Sequence, residues 1–147
     1  MTLLQQLLWG SLYLGLCLAL ETALLLLCFT LTRRRLEQLR LTWRIWRGVV
    51  VMGVAIALVV LAHTAQVWVW ASALIFAQAM PDWNTAVYFS LVTYTTLGYG
   101  DVVLGDGLRI FAAFGAVTGL FAFGISTAFL VAVLRGIFVV DDRRLHQ

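Results

Sequence analysis

The chain has 147 residues, 63% of them hydrophobic and 12% charged, with a mean hydropathy of +0.97. That charge fraction is about half of what a soluble domain of this size carries. The apolar runs are continuous rather than alternating, so composition excludes a soluble domain and a β-barrel and predicts an all-α integral membrane protein. The net charge of +3 comes from ten arginines and no lysine, too little and too localised for nucleic-acid binding.

The first apolar run, Leu3 to about Thr32, begins uncharged at Thr2, Gln5 and Gln6 and exceeds the core of a secretory signal. It predicts a retained transmembrane helix. Leu16 is too large to precede a lipidated Cys17. Cys17 and Cys28 share roughly one helix face but cannot reach each other within the helix. They read as small buried hydrophobes, in preference to an intersubunit disulfide or a metal site. Glu21 is the one acid in this run, and an intramembrane carboxylate is costly. Its candidate partners on the second span are His63, Thr64 and Gln66. Glu21 and His63 differ in depth by about 6 Å, counting from the basic boundary. A structural bond between helices and a proton-sensing pair are both open readings.

A basic segment follows, with Arg33, Arg34, Arg35, Arg40, Arg44 and Arg47 against one acid, Glu37. Leu36 to Arg47 reads equally as an amphipathic interfacial helix touching membrane lipids or as a solvated loop anchored by Trp43 and Trp46. These arginines lie outside the bilayer core, which argues against a voltage sensor. The second run, Gly48 to Met80, has no Asp, Glu, Lys or Arg and exceeds the ~20 residues a span needs. Pro81, the only proline, should end it and open a short helix capped by Asp82 and Asn84. That helix, about 82–95, is too short to span and runs into a glycine-rich loop, so it predicts a re-entrant element. A last apolar run, about 108–139, precedes Asp141, Asp142, Arg143 and Arg144. The expected division is 1–47 for the first helix and basic segment, 48–140 for the following two spans and re-entrant element, and 141–147 for a short tail. With Arg109 alone on the opposite side, the positive-inside rule predicts an outward N-terminus and a cytoplasmic C-terminus.

The loop after the short helix reads Thr95-Thr96-Leu97-Gly98-Tyr99-Gly100-Asp101. Gly98 and Gly100 can take φ > 0 cheaply, which lets successive carbonyls face one axis. This stretch is similar to the filter loop of the potassium-channel pore family, in which such carbonyls replace the water shell of K⁺. The resemblance runs from about Gly48 to Phe138. It implies a homotetramer, because one loop cannot encircle an ion. It implies K⁺ ligands at Thr96, Leu97, Gly98, Tyr99 and Gly100, with filter support from Asp101, Tyr88, Phe89, Val92, Thr93 and Thr95. The family often has two Trp where Tyr88 and Phe89 stand. Val92 occupies a position where some members carry a Glu that pairs with the Asp after the filter. The loop 102–108 lacks the family's usual Pro.

Gly119 matches the family's hinge glycine, and Gly115 and Gly119 also form a small-xxx-small pair suited to close helix packing. Phe123, Thr127, Val131 and Arg135 recur at i+4, so one stripe of the last helix could line the pore. Arg135 alternatively snorkels to headgroups. The expected function is a passive K⁺ channel in a prokaryotic plasma membrane, with K⁺ as permeant ligand, no cofactor and no enzymatic activity. The rival readings are a subunit of a potassium uptake transporter and a non-conducting scaffold with the pore fold.

Overall fold

A computed structural model describes the backbone of residues 1–38 and 44–145, and the side chains of residues 1–30, 46 and 48–136. The expected interfacial helix, with Leu39, Arg40 and Trp43 at its centre, falls largely outside the described residues. Among the described residues there are four helices: α1 (Leu3–Gln38), α2 (Arg44–Phe76), α3 (Trp83–Tyr94) and α4 (Arg109–Leu145). Three are long and apolar enough to cross a membrane, over Leu3–Thr30, Gly48–Phe76 and Arg109–Gly136. The fold is the expected all-α one, three spans and one short helix.

The helices outrun their apolar spans for a local reason. Arg33 to Gln38 and Arg44 to Arg47 are mostly good helix formers, so α1 and α2 continue into the basic segment. α4 likewise runs through Asp141 to Arg144, because no Gly or Pro interrupts it there. At its start, α1 carries a reciprocal cap. The Thr2 amide donates to Gln5 Oε1 at 2.9 Å, and the Gln5 amide donates to Thr2 Oγ1 at 3.3 Å.

α2 stops at Phe76, ahead of Pro81. The Ala79 amide bonds to the Leu74 carbonyl and the Gln78 amide to the Ile75 carbonyl, with Gln78 at φ 53°. That is a Schellman ending with Gln where Gly is usual. The proline therefore follows the stop rather than making it.

α1 packs against α2 and α4, and α3 packs against α2 and α4. In lipid no hydrophobic force drives helices together, so interdigitated side chains and polar bonds must. An aromatic knot joins three spans. Tyr13 of α1 stands 5.7 Å from both Trp70 of α2 and Phe111 of α4, and Trp70 and Phe111 stand 5.2 Å apart. Such ring pairs contribute about 0.5–1.5 kcal/mol each beyond area burial. Cys17 lies buried in the same core, and Cys28 is buried too.

α1 also caps α4. Gln6 is buried, and its Oε1 accepts from the amides of Ile110 at 3.1 Å and Phe111 at 3.4 Å. Those amides belong to the first turn of α4, which has no intrahelical partner for them. Gln6→Leu should therefore destabilise the protein by about 1–2 kcal/mol, as loss of a cap does. Denaturant unfolding in detergent micelles checks this, and Gln5→Leu, at an exposed position, should cost less.

Candidate functional site

α3 begins at a well-formed cap. Asp82 Oδ1 accepts from the Thr85 amide at 3.0 Å, and its Oδ2 accepts from the Thr85 hydroxyl at 2.8 Å. The Thr85 amide, then its hydroxyl, hold the Asp82 carboxyl below its ordinary value. Trp68 of α2 and Trp83 of α3 approach at 5.9 Å across the turn.

The far end of α3 does not stop cleanly but feeds its carbonyls to the loop. The Thr95 amide bonds to the Leu91 carbonyl and the Thr96 amide to the Thr93 carbonyl. The amides of Leu97 and Gly98 both bond to the Val92 carbonyl, at 3.0 and 3.3 Å. A trans peptide points its C=O opposite its N–H. The carbonyls of Thr95, Thr96 and Leu97 therefore point away from α3. Thr95 turns its hydroxyl inward, onto the Leu91 carbonyl at 2.8 Å and the Val92 carbonyl at 3.3 Å.

Backbone handedness alternates along this loop. Thr96, Gly98 and Gly100 take φ of 60°, 55° and 79°, while Leu97 and Tyr99 between them keep negative φ. Glycine adopts these values freely, whereas a β-branched threonine there is a true outlier. Such strain persists only where the surroundings impose it, and it concentrates at functional positions. Sequence reasoning assigned positive φ to the two glycines and missed Thr96. The every-other-residue spacing was the available signal.

Residues 95–100 are all exposed in the single chain. Their backs are not bare. Tyr88, Phe89, Val92, Thr93 and Asp101 gather in one shallow groove with Gly98. The Tyr88 hydroxyl donates to Asp101 Oδ2 at 2.6 Å, tying the end of the loop to α3. The other carboxyl oxygen, Asp101 Oδ1, accepts from the Val102 amide at 3.0 Å. The bond between Tyr88 and Asp101, chiefly, holds the Asp101 carboxyl below its ordinary 3.8 and the Tyr88 phenol above its ordinary 10.0. A depressed carboxylate keeps its bond above pH 3.8 and loses it as pH falls through the lowered value. Beyond Asp101, Arg109 closes the loop, donating from Nε to the Leu104 carbonyl at 3.0 Å and pairing with Asp106 at 2.6 Å.

On α4, Gly119 is buried against α3, and a Cβ there would overlap the Tyr94 carbonyl oxygen. Gly115 is less tight, its ideal Cβ lying 3.6 Å from Thr93 Cγ2 and Trp70 Cδ2. Phe123, Thr127, Val131 and Arg135 are exposed, on a face distinct from buried Ala122 and Ser126. Phe123 is not wholly turned outward, since its ring also meets His63 at 4.7 Å and Tyr94 at 5.7 Å.

Glu21 and His63 are joined through two intermediates, Gln66 and Tyr94. Glu21 Oε2 accepts from Gln66 Nε2 at 2.7 Å, and its Oε1 accepts from the Ser126 hydroxyl. Gln66 Oε1 accepts from the Tyr94 hydroxyl at 3.2 Å, and that hydroxyl lies 2.8 Å from His63 Nδ1. Of the three partners expected for Glu21, the bonded one is Gln66. Tyr94 and Ser126 were not anticipated. Tyr94, as the last residue of α3, read simply as part of a short apolar helix.

These features define a membrane protein that holds a strained, carbonyl-presenting loop on a short re-entrant helix between two spans. A family model described as an ion channel matches residues 49–136, and the chain belongs to that family. The match takes in α3, the loop and most of α2 and α4, close to the extent of the resemblance read from sequence, and leaves α1 outside it. No curated protein and no solved structure matches the chain.

Proposed function

We propose that this ion channel is potassium-selective, assembles as a homotetramer and conducts K⁺ passively through residues 96–100. The observation that carries the reading is the alternating φ of Thr96, Leu97, Gly98, Tyr99 and Gly100. Alternation turns successive peptide planes the same way. The bonds from Leu97 and Gly98 to the Val92 carbonyl aim the free oxygens to the open side of the loop. Four such loops around one axis give rings of partial negative charge that replace hydration water without trapping the ion. One chain supplies one wall, which is why the tetramer belongs to the proposal. α3 adds the partly negative end of its dipole at the inner side.

The other assignments follow from the same arrangement. Asp101, Tyr88, Phe89, Val92, Thr93 and Thr95 brace the loop. Thr127, Val131 and the exposed part of Phe123 line the inner cavity, with Arg135 at the cytoplasmic mouth. The arginines from Arg33 to Arg47 sit on the cytoplasmic side against lipid headgroups, leaving the N-terminus outside. The protein does no covalent chemistry. The membrane is a prokaryotic plasma membrane.

Purified protein in liposomes should pass K⁺ down its gradient, reject Na⁺ and need no partner. Equal K⁺ and Na⁺ flux overturns the selectivity. Flux that appears only with another subunit favours the transporter reading, and a tetramer that passes neither ion favours the scaffold.

A further inference from the structure

α1 lies outside the family match, yet a line of fully buried polar groups runs from it to the loop. Glu21, Gln66 and Tyr94 are 0%, 0% and 1% exposed. They sit on α1, α2 and the last position of α3, and each is bonded to the next. We propose that Glu21 is a positioning residue for the inner end of the filter, acting through Gln66 and Tyr94. The conduction side of this rests on the potassium reading above; the coupling itself does not.

The argument is one of donor direction. Glu21 accepts at both carboxyl oxygens, from Gln66 on α2 and Ser126 on α4. With its NH2 end turned to Glu21, Gln66 presents its amide oxygen to Tyr94. The Tyr94 hydroxyl must then donate to Gln66, and His63 Nδ1 must supply the hydrogen of its own bond to Tyr94. The chain thus reads His63 to Tyr94 to Gln66 to Glu21, and none of its bonds can reverse without orphaning a neighbour. Its effect on the backbone is local. With its hydroxyl pinned twice, the Tyr94 ring is fixed between α2 and α4, and its own carbonyl seats on Gly119. Thr96, the strained residue that opens the filter, is two positions further on. Removing the acceptor at Glu21 frees the Gln66 amide to turn, and Tyr94 loses its defined donor role.

The test uses full-length protein in lipid nanodiscs and liposomes, with two readouts. One is hydrogen exchange of the peptide covering 95–101 against that covering 48–60. The other is the K⁺ to Na⁺ permeability ratio. Glu21→Leu and Tyr94→Phe should each speed exchange at 95–101 by about fivefold or more, leave 48–60 unchanged, and lower the ratio by a similar factor. The double variant should be no worse than the worse single, as expected for two links of one chain. Glu21→Gln can still accept from Gln66 and donate to Ser126, so it should stay within about twofold of the parent. Wild-type exchange at 95–101 in Glu21→Leu, or effects that multiply in the double variant, overturns the proposal. If Glu21→Leu does not assemble, Gln66→Met cuts the chain one link on and carries the same expectation and the same refutation. Parent vesicles that pass neither cation would sink the potassium reading, and the exchange measurement would still decide the coupling.

Discussion

Gly119→Ala is expected to force α3 off α4 and cost about 1–3 kcal/mol of stability per chain, the range for overpacking a tight contact. The added Cβ would meet the Tyr94 carbonyl oxygen and carbon, which are backbone atoms and cannot rotate aside. The sign of the change separates two roles for this glycine. A glycine kept only as a helix hinge should gain about 0.5–1 kcal/mol on conversion to alanine, since Ala is the better helix former. A glycine kept for close approach should lose. Gly115→Ala serves as the internal reference. Its Cβ would make ordinary contacts at 3.6 Å, so it should be neutral or slightly stabilising. Unfolding of both variants in detergent micelles reads the difference. A stabilised Gly119→Ala protein would return Gly119 to the hinge role. The displacement also reaches the loop, because Tyr94 is the last residue of α3 and the amides of Leu97 and Gly98 hang from the Val92 carbonyl. Ion flux should therefore fall along with stability.

The spans were legible because lipid imposes a long, continuous apolar run, and all three apolar spans lie within or close to the expected ranges. The re-entrant helix was legible from its length and the Asp82 cap, which the structure forms with Thr85. Endings were less so. Pro81 looked like the terminator of α2, yet Gln78 in a left-handed conformation ends it first, and nothing in a lone Gln announces that. The same holds for Gln6. One glutamine near a helix start carries no sign that its partners are Ile110 and Phe111, more than a hundred residues away in sequence. Glu21 was legible as an anomaly because a carboxylate within a span is costly. Its second partner, Ser126, was not, since a serine in an apolar helix usually bonds its own backbone. Composition and spacing report what each helix must bury or break. They do not report which polar tips meet across helices, and that pairing ties α1 to the rest of the protein.

Gly98→Ala is expected to remove selective K⁺ conduction while leaving the helices assembled. Gly98 has φ of 55°, and a Cβ built there meets nothing within 4 Å. The penalty is thus conformational rather than steric, about 1–2 kcal/mol for an L-residue held left-handed. Thr96 already bears that cost two residues earlier. In the proposed tetramer it would recur four times around one axis, roughly 4–8 kcal/mol against a ring that must stay open and ordered. The cheaper course for the chain is to return residue 98 to negative φ. That swings the Leu97–Gly98 peptide, breaks the amide bond to Val92 and takes the Leu97 carbonyl off the open side. K⁺ flux in liposomes should drop by on the order of a thousandfold. Helical content and the size of the assembled protein should not change, because no bond between helices involves residue 98. Selective flux at the parent level would mean that handedness at this position is incidental, and with it the alternation on which the potassium reading stands.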